Sequence, residues 1–230
     1  DFAANSILFE NARAQAPCTF PSVNSLLTSR DPIPFFSKGA GRYAIPAKIP
    51  SLADLLRERD FLTAAVSASP IVRRTPSPSN EFGGFESAFE PFDEQCLYQA
   101  AACVNARAFD ILDKQLTPGR PFFLYLHYFD PHGPYQPPAT GSGRDFRHTT
   151  PQPIEKERII SYQRLAGIDD GAEYVDRYDE EIAYADAEIG RLLDVYDELG
   201  LGDTGIVVFT ADHGENLIEH EVYFNHGHQV

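Results

Sequence analysis

Long apolar runs and basic residues are both scarce in this sequence. No stretch of about 18 consecutive apolar residues occurs, so no segment of the chain is expected to span a membrane. Only 19 Lys and Arg residues stand against 34 Asp and Glu residues, which gives a formal net charge of -15 at pH 7. Because such a surface repels phosphate backbones and anionic headgroups, neither nucleic acid nor an anionic membrane is expected as the main partner.

Cysteine is also scarce, with three residues in the whole chain. Three cysteines do not make the kind of disulfide framework that holds small secreted domains together. Cys96 and Cys103 stand seven apart in an Ala-rich stretch with helical periodicity, so both are expected on one helix face, in the core. The chain starts at Asp1 without a charged and apolar leader, but exported proteins lose their leaders, so the compartment stays open.

The apolar residues that are present follow an alternating helix and strand pattern. They make up 43% of the chain, an ordinary fraction for a globular protein that buries a core, and the length of 230 residues predicts one large domain or one and a half. Short β-branched or aromatic runs follow helical segments, which is typical of an α/β protein with a mainly parallel central sheet flanked by helices. Helices are predicted over 23–29, 51–59, 96–115, 155–165 and 173–200, and strands over 61–67, 122–129 and 206–209.

The segment 137–176 interrupts this alternation. Its first part, 137–150, is rich in Pro, Gly, Ser and Thr, a composition typical of loops. We interpret the segment as an insertion or a lid that shapes a pocket. Both ends of the chain look cut, since no strand precedes the first helical pattern and a histidine cluster lies at the other end, so a longer parent protein is expected.

The predicted strand 206–209 ends in residues suited to binding a metal or an oxyanion. Asp212 and His213 place a carboxylate beside an imidazole, and Gly214 lets the backbone turn sharply after them. Carboxylate and imidazole ligands fit Zn, Mn, Mg or Ca to differing degrees and do not distinguish among these ions. The alternative is a strand that simply ends in a polar turn.

A hydroxyl group is predicted close to the start of a helix. Pro21 and Ser22 are typical first-turn residues, and the helix predicted over 23–29 follows them directly. Thr19 therefore stands where backbone N–H groups and the helix dipole favour an anion, and its hydroxyl could attack a phosphorus or sulfur centre. The alternative is that Thr19 only caps the helix.

Histidines follow both of the later strands. His132 comes just after the strand 122–129, at the place where open α/β sheets bind their ligands. His127 lies inside that strand, where a histidine is usually a core residue, and we interpret it as mainly structural. Beside a hydroxyl activated by a divalent cation, His132, His226 and, more weakly, His220 could hold an oxyanion or protonate a leaving group.

These candidates fall within four blocks of sequence: 19–30, 122–135, 178–193, and 207–214 with the pair His226-Gly227. The blocks resemble the sulfatase family of the alkaline phosphatase superfamily. The first resembles the family's nucleophile segment, and the second its strand ending in Asp-Pro-His-x-Pro-Tyr. The third resembles its long helix, and the fourth its Asp-His-Gly metal segment. Together the blocks span nearly the whole chain in the family's order.

The resemblance implies an α/β fold of the alkaline phosphatase type, with residues 1–230 as a partial, incomplete catalytic domain. It also implies a divalent metal ion and hydrolysis of sulfate or phosphate esters through a covalent intermediate. Carried over residue by residue, Asp212 and His213 would be metal ligands, Thr19 the nucleophile, and His132 and His226 would contact the transferred group or the leaving oxygen.

The chain departs from the family pattern at the nucleophile. Type I sulfatases convert a Cys within Cys-x-Pro-x-Arg to formylglycine, whereas here the register places Thr19, not Cys18, at that position. Val23 stands at the family Arg position, so no formylglycine is expected. Family members with Thr here often handle phosphoryl groups, which shifts the expectation from sulfate towards phosphate. The family's first metal segment, an acidic pair, is absent from this chain and would lie before Asp1.

Other functions fit parts of the pattern. A phosphoethanolamine-type transferase would pass the group to a sugar or lipid hydroxyl, and a non-catalytic protein would keep the fold without the chemistry. A separate zinc site formed by His220, His226 and His228 matches no standard ligand spacing. The expected substrate is a small-molecule or glycan ester, and the sequence leaves its alcohol portion and the oligomeric state open.

Overall fold

The structure, a computed structural model, describes residues 2–32, 49–74, 84–139, 146–219 and 222–227. The α-helices and β-strands in chain order are α1 (Thr19–Thr28), α2 (Leu52–Arg57), β1 (Leu62–Ser67), β2 (Phe92–Asp93), α3 (Ala101–Gln115), β3 (Phe122–His127) and α4 (Gly171–Glu198). Short 3-10 turns occur at Ala3–Asn5, Phe85–Ala88, Lys156–Arg158 and Ser161–Gln163. None of the helices within the described ranges is long and apolar enough to cross a bilayer.

The described strands form a parallel sheet in the order β2-β1-β3. β1 and β3 pair along their whole length, with Leu62 opposite Phe122 and Ser67 opposite His127. Their carboxyl ends therefore reach the same edge of the sheet, which is the edge where α/β proteins bind ligands. The predicted parallel α/β architecture is confirmed.

Both faces of this sheet are covered, as parallel sheets require. Ala65 of β1 packs in one cluster with apolar residues of α1, including Phe20 and Val23. Its neighbours Ala64 and Val66 point to the opposite face and pack in a second cluster with residues of α3. Because side chains alternate along a strand, one short apolar run supplies both halves of the core.

A third apolar cluster holds much of the segment 137–176 in place. Ile159, Leu165 and Ile168 from this segment pack with Tyr135 and with residues of α4 and the 217–224 region. The helix predicted over 155–165 is absent and is replaced by two 3-10 turns. The backbone becomes extended at Ile159, whose side chain is buried in the cluster.

The expectation that Cys96 and Cys103 lie on one face of one helix was wrong. α3 begins at Ala101, and the turn before it brings the two Cα atoms to 5.8 Å, where the cysteines form a disulfide. Within a continuous helix, residues seven apart would lie roughly 10 Å apart along the axis, too far to bond. Cys96 is nevertheless fully buried, so its predicted place in the core is confirmed.

The buried strand predicted over 206–209 is also not observed. Ile206 is 92% exposed and Val208 is 79% exposed, and residues 206–209 belong to no strand. Their apolar, β-branched pattern suits a strand, but a strand also needs a hydrogen-bonded neighbour. Within the described residues, β1, β2 and β3 pair only with one another, so this run has no strand partner there.

Breaking the disulfide should destabilise the fold. A double variant, Cys96→Ser with Cys103→Ser, should lose about 2–3 kcal/mol in the free energy of unfolding, because the reduced chain gains conformational freedom when unfolded. Urea denaturation with and without a reducing agent would measure this loss. Cys18→Ser is the control, since Cys18 is a free thiol. Equal stability of the double variant and the control would contradict the prediction.

Candidate active site

The candidate residues come from distant parts of the chain and meet at the carboxyl edge of the sheet. α1 brings Thr19, the loop after β3 brings His132, and the segments after residue 210 bring Asp212, His213 and His226. A continuous series of contacts joins Thr19 to His213, His213 to His226, and His226 to His132. The structure therefore places all five predicted site residues together.

Thr19 is the first residue of α1, which begins four residues before the predicted range 23–29. The backbone N–H groups of the first helical turn have no intrahelical partner, so an anion at this end would be stabilised. The Thr19 Oγ1 atom lies 3.2 Å from His213 Nε2. Three residues further along α1, the Ser22 hydroxyl donates to the Asp212 carbonyl at 2.5 Å and fixes α1 against the 212 segment.

The His213 ring has a defined orientation. Its Nδ1 lies 2.9 Å from the Gly214 carbonyl oxygen, which can only accept a hydrogen bond, so Nδ1 carries the proton. In the neutral ring, Nε2 then holds a lone pair, and that lone pair faces the Thr19 hydroxyl. His213 can therefore serve as a metal ligand or as a hydrogen-bond acceptor at the same position.

Asp212 presents one unsatisfied oxygen to this position. Its Oδ1 accepts from the His213 backbone N–H at 3.0 Å, whereas Oδ2 is buried without a hydrogen-bond partner and lies 3.5 Å from His213 Nε2. A buried carboxylate oxygen next to an imidazole lone pair is a donor set that suits a divalent cation. Across the described parts of the chain, no group of three or more His, Cys, Asp or Glu side chains converges on one point.

His132 and His226 form the other side of the site. The His132 ring stacks on Phe129 at 4.4 Å, and its Nδ1 donates to the Gly133 carbonyl at 2.7 Å. Burial lowers the pKa of His132, and the nearby His226 acts in the same direction. The His226 ring centre lies 5.4 Å from that of His132 and 4.5 Å from that of His213. Both histidines are therefore close enough to contact one small ester group.

Two neighbours of the site were not singled out from sequence. Glu215 lies 3.3 Å from His226 Nδ1, and Ser22 makes the contact with Asp212 described above. Glu215 directly follows the Asp-His-Gly run, which was a usable signal, whereas nothing marked Ser22 beyond its place in the first turn of a helix.

His127, interpreted as mainly structural, ends β3 beside the site, where burial lowers its pKa and Asp212 opposes that shift. His220 and His228 lie outside the described residues.

The loop that carries His132 is attached to α4 through a buried carboxylate. Glu181 Oε1 accepts from the Gln136 backbone N–H at 2.6 Å, while its Oε2 has no hydrogen-bond partner. Glu181 is only 5% exposed, and burial raises its pKa to about 8. The nearby Asp130 carboxyl acts in the same direction. Glu181 therefore anchors the loop as a largely protonated group near neutral pH.

A sulfatase family model matches residues 1–230 of this sequence. The chain belongs to the sulfatase family. Human iduronate 2-sulfatase is 22% identical to it over 95% of this chain and 50% of the relative. The endo-4-O-sulfatase of Bacteroides thetaiotaomicron is 30% identical over 43% of this chain and 19% of the relative. The chain thus spans half or less of the length of these curated relatives.

The fold of this sulfatase-family chain is also found among solved structures. The phosphonate monoester hydrolase of Agrobacterium radiobacter superimposes with a TM-score of 0.60 at 14% sequence identity, over 88% of this chain and 54% of the hydrolase. At that identity the likeness concerns the fold alone. It confirms the α/β architecture of the alkaline phosphatase type that the sequence resemblance implied.

Removing the charge of Glu181 should stabilise this sulfatase-family chain as the pH rises. Because its pKa in the folded state lies above the ordinary value of 4.5, ionisation favours unfolding, and the stability lost through it accumulates between about pH 4.5 and pH 8. Glu181→Gln keeps the acceptor for Gln136 and stays neutral. Its advantage over wild type should be near zero at pH 4.5 and on the order of 2–4 kcal/mol at pH 8.

Urea denaturation across this pH range would measure the difference. Glu198→Gln is the matched control, because Glu198 is exposed at the other end of the same helix and should show no such trend. A Glu181→Gln variant that is less stable than wild type at every pH would contradict the prediction.

Proposed function

We propose that this chain is the catalytic part of a metal-dependent hydrolase of sulfate or phosphate esters, with Thr19 as the nucleophile. The contact between Thr19 Oγ1 and His213 Nε2, 3.2 Å at the start of α1, carries the proposal. It places a hydroxyl beside the candidate metal ligands and beside helix N–H groups that stabilise an anion.

Asp212 and His213 would hold the divalent cation, with further ligands from outside the described residues. The buried, unpartnered Asp212 Oδ2 and the lone pair of His213 Nε2 fit that role, and a cation between them would satisfy both atoms. When bound, the ion would lower the pKa of the Thr19 hydroxyl and offset the negative charge on the ester oxygens. Ca, Mn, Zn and Mg all accept oxygen and imidazole ligands to some degree.

The remaining chemistry belongs to the chain's own residues. The ionised Thr19 oxygen attacks the sulfur or phosphorus atom in line, and a covalent Thr19 ester forms as the bond to the alcohol oxygen breaks. The departing oxygen takes up a proton from the His226 ring protonated on both nitrogens, which becomes neutral; this ring lies beside that of His132. Neutral His226 then takes a proton from water as that water attacks the Thr19 ester and releases sulfate or phosphate. The Thr19 oxygen recovers from solvent the proton that it lost on ionisation. His132, held by Phe129 and Gly133, contacts the oxygens of the transferred group.

Thr19 is favoured over Cys18 as the nucleophile. Cys18 precedes α1, and both burial and the nearby Asp212 raise the pKa of its thiol, which keeps it protonated. Thr19 makes the contact with His213. The expectation that no formylglycine forms rests on the sequence, in which Thr19 and not Cys18 stands at the nucleophile position. One relative is named iduronate 2-sulfatase, and one similar structure is named as a phosphonate monoester hydrolase. The proposed substrates are therefore small-molecule or glycan esters of sulfate or phosphate.

The nucleophile can be tested by a pair of neighbouring variants in the full-length protein. Thr19→Ala should lower kcat/KM by about 10³-fold or more, because the covalent step is lost. Cys18→Ala should change it by less than about threefold, since a protonated thiol takes no part in the reaction. Aryl sulfate, aryl phosphate and phosphodiester substrates would be assayed in parallel. Full activity of Thr19→Ala on every accepted substrate would overturn the mechanism.

The metal site can be tested by composition as well as by activity. Asp212→Asn should reduce the divalent metal bound by the purified full-length protein, measured by elemental analysis, because the amide removes the carboxylate charge. Chelation of the wild type should abolish hydrolysis, and adding back one of the four candidate ions should restore it. A wild-type protein that binds no divalent ion and hydrolyses none of these esters would instead favour a non-catalytic member of the family.

A further inference from the structure

We infer that Glu215 is a positioning residue that fixes the His226 ring so that its Nε2 atom serves the reaction. The inference rests on the proposed hydrolase function. Glu215 Oε1 lies 3.3 Å from His226 Nδ1, and the two side chains are only 8% and 17% exposed. A contact this sheltered is not an ordinary surface ion pair, whose geometry would be loose and screened by water.

The carboxylate determines which ring nitrogen carries the proton. An ionised carboxyl group only accepts hydrogen bonds, so His226 Nδ1 must donate to Glu215. In the neutral ring Nε2 then holds the lone pair that accepts a proton, and in the ring protonated on both nitrogens Nε2–H is the donor that faces the substrate. A histidine without such a partner would divide between two tautomers and rotate more freely, which would reduce the fraction of molecules ready for proton transfer.

The backbone holds the two residues opposite one another. Asn216 and Asn225 form an antiparallel bridge, with N–H to carbonyl distances of 2.9 and 3.1 Å in the two directions. Glu215 directly precedes one partner of this bridge and His226 directly follows the other. The Asn225 side chain also accepts from the His226 backbone N–H at 2.8 Å. The Glu215–His226 contact is therefore built into the fold of this segment.

The surroundings of Glu215 are aromatic. Burial, together with the charge of Glu215, raises the pKa of the phenols of Tyr135, Tyr162 and Tyr178, so these three rings lie close enough to sense the carboxylate. The Tyr135 phenol is a neutral donor near Glu215, and His226 is the histidine that the carboxylate contacts. His226 in turn lies between His132 and His213, so the orientation of this one ring affects the centre of the site.

The test compares substrates whose leaving groups need a proton to different extents. Glu215→Leu in the metal-loaded, full-length protein should lower kcat by about 10²-fold for an alkyl or sugar ester, because the His226 proton donor is no longer aligned. For a 4-nitrophenyl ester, whose leaving group departs without a proton, kcat should fall less than about threefold. Glu215→Gln should recover most of the lost kcat, because the amide oxygen can still accept from Nδ1.

Two measurements separate positioning from other roles. Nitrogen NMR of the His226 ring should show a proton fixed on Nδ1 in wild type and in Glu215→Gln, and a mixture of tautomers in Glu215→Leu. The metal content should be unchanged in both variants. Glu198→Gln is the control, because Glu198 is exposed at the carboxyl end of α4.

The outcomes are distinct. Loss of bound metal in Glu215→Leu would make Glu215 a metal ligand, and an equal loss of kcat on both ester types would make it a structural residue. Either result overturns the inference. Wild-type protein that hydrolyses no ester would defeat the proposed function, while the NMR comparison would still report whether Glu215 fixes His226.

Discussion

The contact between α1 and the 212 segment is the constraint on which the rest of the site depends. Two hydrogen bonds, from Ser22 to the Asp212 carbonyl and between Thr19 and His213, join residues that are 190 and 194 positions apart in sequence. The residues just before this segment, 206–209, belong to no strand within the described chain, so the sheet does not position Asp212 and His213. The proposed nucleophile and the candidate metal ligands are therefore aligned by each other. A substitution at Ser22, which has no role in the proposed reaction, would change the position of Thr19 relative to Asp212 and His213.

The other half of the site is supported by a buried polar network. Asn105 of α3 donates to the Glu188 carboxylate of α4 at 2.9 Å and accepts from the Tyr128 hydroxyl at 2.7 Å, so the chain leaving β3 is tied to two helices. His132 lies four residues further along. Burying an ionisable group lowers the stability of the fold unless the group is paired or neutral. Here the buried Glu188 carboxylate is paired with Asn105, next to the loop that carries His132. The chain near His132 is thus held by polar contacts as well as by the apolar packing of Phe129 and Tyr135.

Sequence patterns predicted the elements whose stability is local or whose partners lie nearby. β1 and β3 are short apolar runs that pair with each other, Ser51 caps α2 through a capping box, and α4 follows a long helical period.

The predictions failed where the outcome depends on a distant partner. The run 206–209 has the composition of a strand but no neighbour in the described chain to pair with. The link between Cys96 and Cys103 depended on where α3 begins, and helix boundaries are the least certain part of a periodic pattern.

The candidate site shows the same division between chemistry and geometry. Residue type and order predicted Thr19, His132, Asp212, His213 and His226 as candidates, because few side chains can attack, ligate a metal or transfer a proton. Which nitrogen of each ring faces the substrate was not accessible from sequence, since it depends on the group that holds the other nitrogen. Each of the three histidine rings has a partner for Nδ1. His132 pairs with the Gly133 carbonyl, His213 with the Gly214 carbonyl and His226 with Glu215. Two of the three partners are backbone atoms that any residue could supply, and no motif records them. Only the third is a side chain, so only there can one substitution change the ring's orientation and leave the backbone unchanged.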